Sequence, residues 1–176
     1  MFQPCIVIPV YNHGPQIGPT IAALRHFQLP CLLINDGSNT ETTQILSAIE
    51  RAEEWVSVAA LTVNSGKGVA FMHGLRIAKQ RGFTHALQID ADGQHDSNDI
   101  PAMLAIAEEH PTALISGAPQ FDASIPKSRL YGRYITHFWV WIETLSFAIV
   151  DSMCGFRVYP IDASLALHAK SPVARR

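Results

Sequence analysis

Two aspartates one residue apart, Asp90 and Asp92, close a short apolar segment near the middle of the chain. Two neighbouring carboxylates repel each other unless a cation lies between them. Mg²⁺ and other hard divalent ions take oxygen ligands, often one or two carboxylates together with the phosphates of a substrate. An ion held here would neutralise a diphosphate leaving group as it departs. The alternative is an ordinary solvated Asp-Gly turn, which is common in proteins.

Other sites built on paired aspartates or glycine-rich loops do not match this sequence. A calcium loop beginning at Asp90 needs glycine at its sixth position and glutamate at its twelfth, where the chain has His95 and Pro101. A haloacid-dehalogenase-type phosphatase needs its aspartates after the first strand and threonine in the place of Gln94. The P-loop and dinucleotide glycine patterns are absent. The Gly-Lys-Gly sequence around Lys67 is either a flexible helix start or a lysine directed at an anion.

Strand-like and helix-like segments alternate over the first two thirds of the chain. The predicted strands are residues 5–10, 31–34, 56–63, 84–89 and 113–116, and the predicted helices are residues 17–27, 42–52, 68–81 and 100–109. Short, nearly all-apolar strands between amphipathic helices are typical of a mainly parallel sheet with helices on both faces. The sequence therefore predicts an α/β fold. A further strand is expected to end at residues 158–160, followed by a short helix.

Polar side chains follow four of these strands. They are Asn12, Asp36, Asn64, Asp90 and Asp92. Because ligands of open parallel sheets bind beyond the carboxyl ends of the strands, we expect these side chains to share one site. The carboxylate of Asp36 would accept hydrogen bonds from a nucleobase N–H or a ribose hydroxyl.

The composition is that of one folded domain. Of the 176 residues, 48% are hydrophobic and 16% are charged, which excludes an intrinsically disordered chain. The three cysteines are far apart and lack the paired spacing of zinc ligands. Together with the lack of a signal-peptide pattern, they favour reduced, buried thiols in a cytoplasmic protein.

Charge is distributed unevenly along the chain. Residues 1–126 contain 12 acidic and 6 basic side chains, whereas residues 127–176 contain 3 acidic and 7 basic ones. A basic C-terminal region predicts contact with a phosphate or a lipid surface, although chance gives the same pattern in a short segment. Residues 134–150 are aromatic but too short and polar for a membrane span. They predict a packed helix or a helix at the membrane interface.

Five segments, in order and at similar spacing, resemble the inverting family-2 glycosyltransferases. They are residues 6–12 (IVIPVYN), 35–38 (NDGS), 64–70 (NSGKGVA), 88–95 (QIDADGQH) and 154–157 (CGFR). The chain is most similar to the branch typified by dolichol-phosphate mannosyltransferase and other polyprenol-phosphate glycosyltransferases. The resemblance implies the Rossmann-like nucleotide-diphospho-sugar transferase fold, GT-A. It also implies one catalytic domain over residues 1–176, without the usual C-terminal elements.

The resemblance implies a donor site in residues 1–117 and an acceptor side in residues 118–176. The residues expected to bind the nucleotide-diphosphate sugar are Pro9, Tyr11, Asn12, Asp36, Asn64, Lys67, Asp90 and Asp92. Mg²⁺ or Mn²⁺ is expected on Asp90, Asp92 and Gln94.

Arg129 and Arg133 are expected to bind the acceptor phosphate, since residues four apart share a helix face and two guanidinium groups suit one phosphate. Asp92, Arg157 and Asp151 are the expected catalytic residues, with Asp151 as the base if the acceptor is a hydroxyl. The expected acceptor is a polyprenol phosphate or another lipid or glycan, met at the cytoplasmic face of the membrane during cell-envelope synthesis. Binding to nucleic acid is not expected.

Several positions depart from the family pattern. Asn35 replaces an acid, Cys154 replaces serine, and residues 117–119 read Gly-Ala-Pro instead of Gly-Ser-Arg. Two alternatives therefore stay open. One is a nucleotidyltransferase, although the loop at residues 11–15 has no lysine or arginine. The other is an inactive or truncated nucleotide-sugar-binding module.

Overall fold

A six-stranded mixed sheet forms the centre of the computed structural model, which describes residues 1–117 and 154–170. The strands are β1 (Pro4–Val10), β2 (Cys31–Asp36), β3 (Val56–Leu61), β4 (His85–Gln88), β5 (Ile115–Ser116) and β6 (Arg157–Pro160). Their order across the sheet is β3-β2-β1-β4-β6-β5. Strands β1 to β4 run parallel, whereas β6 is antiparallel to both of its neighbours.

Helices cover both faces of this sheet. Within the described residues they are α1 (Gly14–Leu24), α2 (Thr40–Ala52), α3 (Lys67–Gln80), α4 (Ile100–Glu109) and α5 (Ile161–Lys170). Helices α1, α2 and α4 bury Ile17, Leu46 and Ile100 against one face. Helices α3 and α5 bury Leu75 and Ile161 against the other. The expected α/β architecture, a mainly parallel sheet between helices, is confirmed.

The central strand β1 shows why the strands are continuous apolar runs. Cys5 and Val7 lie in the core on the α3 side, whereas Ile6 and Ile8 lie in the core on the α1 side. All four side chains are fully buried. A strand covered on both faces has no position for a polar side chain, so the polar residues collect where the strands end.

Several element boundaries differ from the predicted ones. Helix α1 begins at Gly14, three residues before the expected start, because Pro15 is tolerated in a first helical turn. It ends at Leu24, and residues 25–27 form a 3-10 turn. Helix α2 begins at Thr40, since the side chain of Asn39 accepts a hydrogen bond from the Thr42 backbone N–H and caps the helix.

Strand β6 lies in an arrangement that the sequence did not indicate. A strand ending near residue 160 was expected, and so was the helix that follows it. The structure inserts this strand between β4 and β5 and reverses its direction. As a consequence, the Cys154–Arg157 segment reaches the sheet edge where β4 ends.

The remaining expectations concern the acceptor side of the chain. Arg129, Arg133, Asp151 and the aromatic segment 134–150 lie outside the described residues. Among the helices that are described, none is long and apolar enough to cross a membrane.

Candidate functional site

A cavity of about 220 Å³ lies at the carboxyl ends of β1, β2 and β4. Strand β1 pairs in parallel with both β2 and β4, so the ends of the three strands meet at one edge of the sheet. Six residues that the sequence assigned to the donor line this cavity: Pro9, Tyr11, Asp36, Lys67, Asp90 and Asp92. Val10, His13 and Ala91 also line it.

Asp36, at the end of β2, is bonded to the backbone of the neighbouring loop. Its Oδ1 accepts a hydrogen bond from the Ser65 N–H at 2.8 Å, and its Oδ2 accepts one from the Gly66 N–H at 2.9 Å. The side chain is 2% exposed. Hydrogen bonds to an ionised acceptor are stronger than neutral ones, so Asp36 fixes the loop that leads into α3 and presents Lys67.

Asn12 and Asn64 do not line the cavity, although the sequence assigned both to the donor. The Oδ1 atom of Asn12 accepts a hydrogen bond from the Asn39 N–H at 2.8 Å. The Oδ1 atom of Asn64 accepts one from the Gly66 N–H at 3.0 Å. Both side chains are exposed and bond to loop backbone, so in this structure they shape the loops around the cavity.

The structure gives a reason for Asn35, where the family usually has an acid. The amide of Asn35 donates to Thr43 Oγ1 at 3.0 Å and accepts from the Ser38 N–H at 2.9 Å. The Thr43 hydroxyl already donates its own hydrogen to the Asn39 carbonyl. A carboxylate at position 35 would therefore face lone pairs on Thr43, whereas an amide supplies the missing donor.

Asp90 is enclosed on three sides. Lys67, in the first turn of α3, forms an ion pair with Oδ1. The Nε2 atom of His95 lies 3.6 Å from Oδ2, beyond hydrogen-bonding range but close enough for electrostatic attraction. A Cβ at Gly155 would lie 2.4 Å from Oδ2, so the backbone closes the third side. His95 and Lys67 hold the pKa of Asp90 down at about 2, although partial burial opposes them.

Asp92 lies in the same loop but is exposed. Its Oδ1 accepts a hydrogen bond from the Gln94 N–H at 3.1 Å, and Gly93 between them adopts a left-handed φ of 68°. This turn directs the Asp92 side chain to the cavity wall. Gln94 is exposed and does not line the cavity.

The oxygen donors at this edge fit a hard divalent ion only in part. Among the described residues, no group of three or more histidine, cysteine, aspartate and glutamate side chains is arranged to hold a metal. Asp90 is already paired with Lys67, which leaves Asp92 as the accessible carboxylate. Mg²⁺ is often bound by one or two carboxylates and completed by water and substrate phosphates. The donor set therefore fits an ion that arrives with a diphosphate.

Two histidines belong to this site, and neither was assigned a role from the sequence pattern. His13 lines the cavity, and its Nδ1 lies 2.7 Å from the Tyr11 carbonyl oxygen, to which it donates. His95 stands beside Asp90, and its ring stacks on that of Phe156. His95 was part of the QIDADGQH segment and His13 followed the first strand, but histidines in loops are too common to stand out.

Arg157 lies on β6 and does not line the cavity. It is partly buried, and its Nη1 lies 3.4 Å from the Tyr159 hydroxyl. The neighbouring Phe156 is buried, and the segment as a whole places Gly155 against Asp90. The catalytic role expected for Arg157 stays a prediction, as do the roles of the other site residues.

Comparison with known proteins identifies what this arrangement resembles. The model of the family described as glycosyl transferase family 2 matches residues 5–163. Polyprenol monophosphomannose synthase of Mycolicibacterium smegmatis is 26% identical over 168 residues, covering 88% of this chain and 60% of that protein. Undecaprenyl-phosphate 4-deoxy-4-formamido-L-arabinose transferase of Pseudomonas savastanoi is 32% identical over 111 residues, 59% of this chain and 32% of the relative. The chain thus spans between about a third and two thirds of these relatives.

The fold also matches solved structures. A mannosyltransferase from Pyrobaculum calidifontis, solved in complex with GDP-Man and Mn²⁺, superposes with a TM-score of 0.58 over 67% of this chain and 36% of that one. The sequence identity is 17%, so the likeness concerns the fold. The GT-A fold expected from the sequence is confirmed.

Proposed function

The chain belongs to glycosyl transferase family 2, and from this premise we propose that it moves a sugar from a nucleotide-diphosphate sugar to a lipid phosphate. The donor would bind in the cavity at the carboxyl ends of β1, β2 and β4. The acceptor class is supported by the two relatives, both of which are named for lipid phosphates. We place the reaction at the cytoplasmic surface of the membrane, where such an acceptor would be met.

One observation carries this proposal: the cavity brings an aromatic ring, a lysine and three carboxylates together. Tyr11 is 44% exposed and offers a face on which a nucleobase can stack. Lys67 lies at the start of α3, where a helix N-terminus also favours an anion. The diphosphate would lie near Lys67 and Asp92, and the nucleoside against Pro9 and Tyr11.

A divalent ion fits this account at Asp92, with Asp90 beside it and Gln94 within the same turn. Mg²⁺ or Mn²⁺ bound there would stabilise the negative charge of the departing nucleoside diphosphate. Mn²⁺ is named with GDP-Man in the related mannosyltransferase structure. Asp90 contributes mainly by holding Lys67, since that ion pair occupies Oδ1.

The reaction would be a single displacement with inversion at the anomeric carbon. A phosphate oxygen of the acceptor attacks that carbon, and the bond from the carbon to the diphosphate oxygen breaks with its electron pair. Lys67 stabilises the leaving diphosphate electrostatically. A lipid phosphate is already anionic at neutral pH, so no base is needed. Asp151 takes that role only if the acceptor is a hydroxyl.

Arg129 and Arg133 are proposed to hold the acceptor phosphate, and the basic region after residue 126 to favour an anionic membrane surface. Co-sedimentation with vesicles tests this part. Binding should require anionic lipid, fall with added salt, and drop in an Arg129→Ala/Arg133→Ala double variant. Equal sedimentation with neutral and anionic vesicles would contradict it.

The function as a whole is tested with a panel of UDP- and GDP-sugars, Mn²⁺, and either a polyprenyl phosphate or a soluble sugar as acceptor. We expect transfer from one donor to the polyprenyl phosphate. Transfer only to the soluble sugar would replace the lipid phosphate with a hydroxyl acceptor. If the protein binds a nucleotide but neither transfers sugar to either acceptor nor hydrolyses any donor, the binding-module alternative would be supported instead.

A further inference from the structure

We propose that His95 is a positioning residue of the donor site, which holds the Asp90 carboxylate turned so that Oδ1 meets Lys67 at the cavity wall. The inference rests on the proposed function, because it ties His95 to the binding of the diphosphate of a nucleotide sugar. His95 does not line the cavity itself. It acts through Asp90 and Lys67.

The first observation is an unpaired polar atom. Nε2 of His95 is buried and has no hydrogen-bond partner within the described part of the chain. It faces the Asp90 carboxylate, with Oδ2 at 3.6 Å. Buried polar atoms without partners are uncommon, and each one in a folded protein calls for a specific explanation. Here the atom is placed to attract one oxygen of a carboxylate without forming a full hydrogen bond to it.

The second observation is that the imidazole ring is held in place. It stacks on the ring of Phe156, with centroids 5.1 Å apart and planes inclined by 12°. Phe156 is itself buried in the core under α1 and α4. The ring therefore has little freedom to turn Nε2 away from Asp90, so the attraction acts in a fixed direction.

The third observation concerns the space around Asp90. Gly155 lies directly against the carboxylate group, where an added Cβ would lie 2.4 Å from Oδ2 and 2.6 Å from Oδ1. With Gly155 against the carboxylate and His95 beside Oδ2, the other oxygen, Oδ1, meets Lys67. Lys67 is half exposed, with 53% of its side chain accessible, so this ion pair is what keeps its ammonium group at the cavity.

A second cavity, of about 320 Å³, adjoins the donor cavity at Asp92. His95 and Phe156 line this second cavity, and Asp92 lines both. The stacked pair therefore borders the second cavity, while Nε2 of His95 faces Asp90, which lines the first. Loss of the imidazole N–H would let the carboxylate turn toward the second cavity, and Lys67 would lose its fixed partner.

Two substitutions distinguish the contribution of the imidazole N–H from that of the aromatic ring. His95→Phe keeps an aromatic ring for stacking on Phe156 and removes the N–H. His95→Gln replaces the N–H with an amide donor of similar reach. His110→Phe is the matched control, because His110 is exposed at the end of α4 and lines neither cavity. All three are made in the full chain, and folding is checked by circular dichroism.

The first measurement is calorimetric titration of UDP and GDP in EDTA, which probes the protein groups alone. We expect His95→Phe to weaken nucleotide binding about tenfold, His95→Gln to recover most of it, and His110→Phe to match the original protein. The donor KM should rise in His95→Phe by a similar factor, with a smaller change in kcat. Equal loss in His95→Phe and His95→Gln would assign His95 a packing role and overturn the proposal.

The second measurement needs neither ligand nor turnover. Crystal structures of the original protein and of His95→Phe should show the Asp90 carboxylate facing Lys67 in the first and rotated in the second. An unmoved carboxylate in His95→Phe would overturn the proposal even if transfer were found. If the carboxylate is rotated in His95→Phe but the original protein transfers no sugar, the positioning role would be supported and the proposed function contradicted.

Discussion

Two loops at the same edge of the sheet use their aspartates in opposite ways. At the end of β2, Asp36 is buried, and both of its oxygens accept backbone N–H groups of the loop before α3. After β4, Asp92 is exposed, and within the described residues only its Oδ1 accepts a backbone N–H. The two side chains line the same cavity.

The difference teaches how to separate structural from ligand-binding carboxylates within one site. A carboxylate whose oxygens are filled by backbone donors holds a loop, and its loss should cost stability. A carboxylate with a free oxygen at the cavity wall can meet a ligand, and its loss should cost activity. Asp90 is intermediate, since its partners are the side chains of Lys67 and His95.

The largest effect should follow from Asp92→Asn. We expect sugar transfer to fall by about 10²–10³, the usual loss when an electrostatic catalytic group is removed, while the thermal midpoint stays unchanged. Asp96→Asn is the matched control, because Asp96 is an exposed acid of the same loop, and asparagine can keep its hydrogen bond to the Asn98 N–H. A variant with nearly normal transfer would remove Asp92 from the mechanism.

For Asp36→Asn we expect a loss of stability rather than a direct loss of sugar transfer. The amide N–H₂ group would face one of the two backbone N–H groups, so one hydrogen bond to a charged acceptor is lost. We expect about 1.5–3 kcal/mol less stability toward unfolding in urea. Unchanged stability with strongly reduced nucleotide binding would break the comparison, because Asp36 would then act on the ligand directly.

Gly155→Ala sharpens the comparison at Asp90. The added methyl group would push the carboxylate away from its present position, and since the displaced atoms end a side chain, the protein should still fold. We expect nucleotide binding to weaken by about threefold to tenfold. Gly18→Ala is the control, because an added Cβ there meets nothing within 4 Å. Binding equal to that of Gly18→Ala would show that Asp90 tolerates the displacement.

The smallest effect concerns acid stability. The pKa of Asp90 is lowered to about 2 from an ordinary value near 3.8, so its ionised form favours the folded state at higher pH. This contribution is complete above about pH 4 and is lost as the pH falls toward 2. In urea unfolding measured across that window, Asp90→Asn should show a shallower fall in stability than the original protein. An identical pH dependence of stability in the two proteins would contradict the lowered pKa of Asp90.

The sequence predicted much of the donor half because its signals are local. Apolar runs such as residues 5–10 and the polar residues after them depend on neighbours in the chain, and Asp36, Lys67, Asp90 and Asp92 do share one cavity. The position of Gly155 against Asp90 depends instead on β6, which pairs with a strand about 70 residues earlier. No local pattern reveals such a pairing or its direction.

Side-chain bonding was also beyond the reach of sequence reasoning. Asn12 and Asn64 follow strands as a ligand-binding residue would, yet both accept hydrogen bonds from loop backbone. The environment of His95 depends on Phe156 and Asp90, which approach it from different parts of the chain. Residue type and position predicted the correct edge of the sheet, but only the structure showed which of these side chains are already hydrogen-bonded to loop backbone.

The central claim is that Asp92 and a divalent ion together bind the diphosphate of the donor. Calorimetric titration of UDP and GDP tests it most directly, with the original protein and Asp92→Asn each measured in Mn²⁺ and in EDTA. The account predicts that one nucleotide binds the original protein in Mn²⁺ and much more weakly in EDTA. It further predicts that Asp92→Asn in Mn²⁺ binds as weakly as the original protein in EDTA. Equal affinity of the original protein with and without Mn²⁺, or a metal-dependent affinity that survives in Asp92→Asn, would contradict the claim.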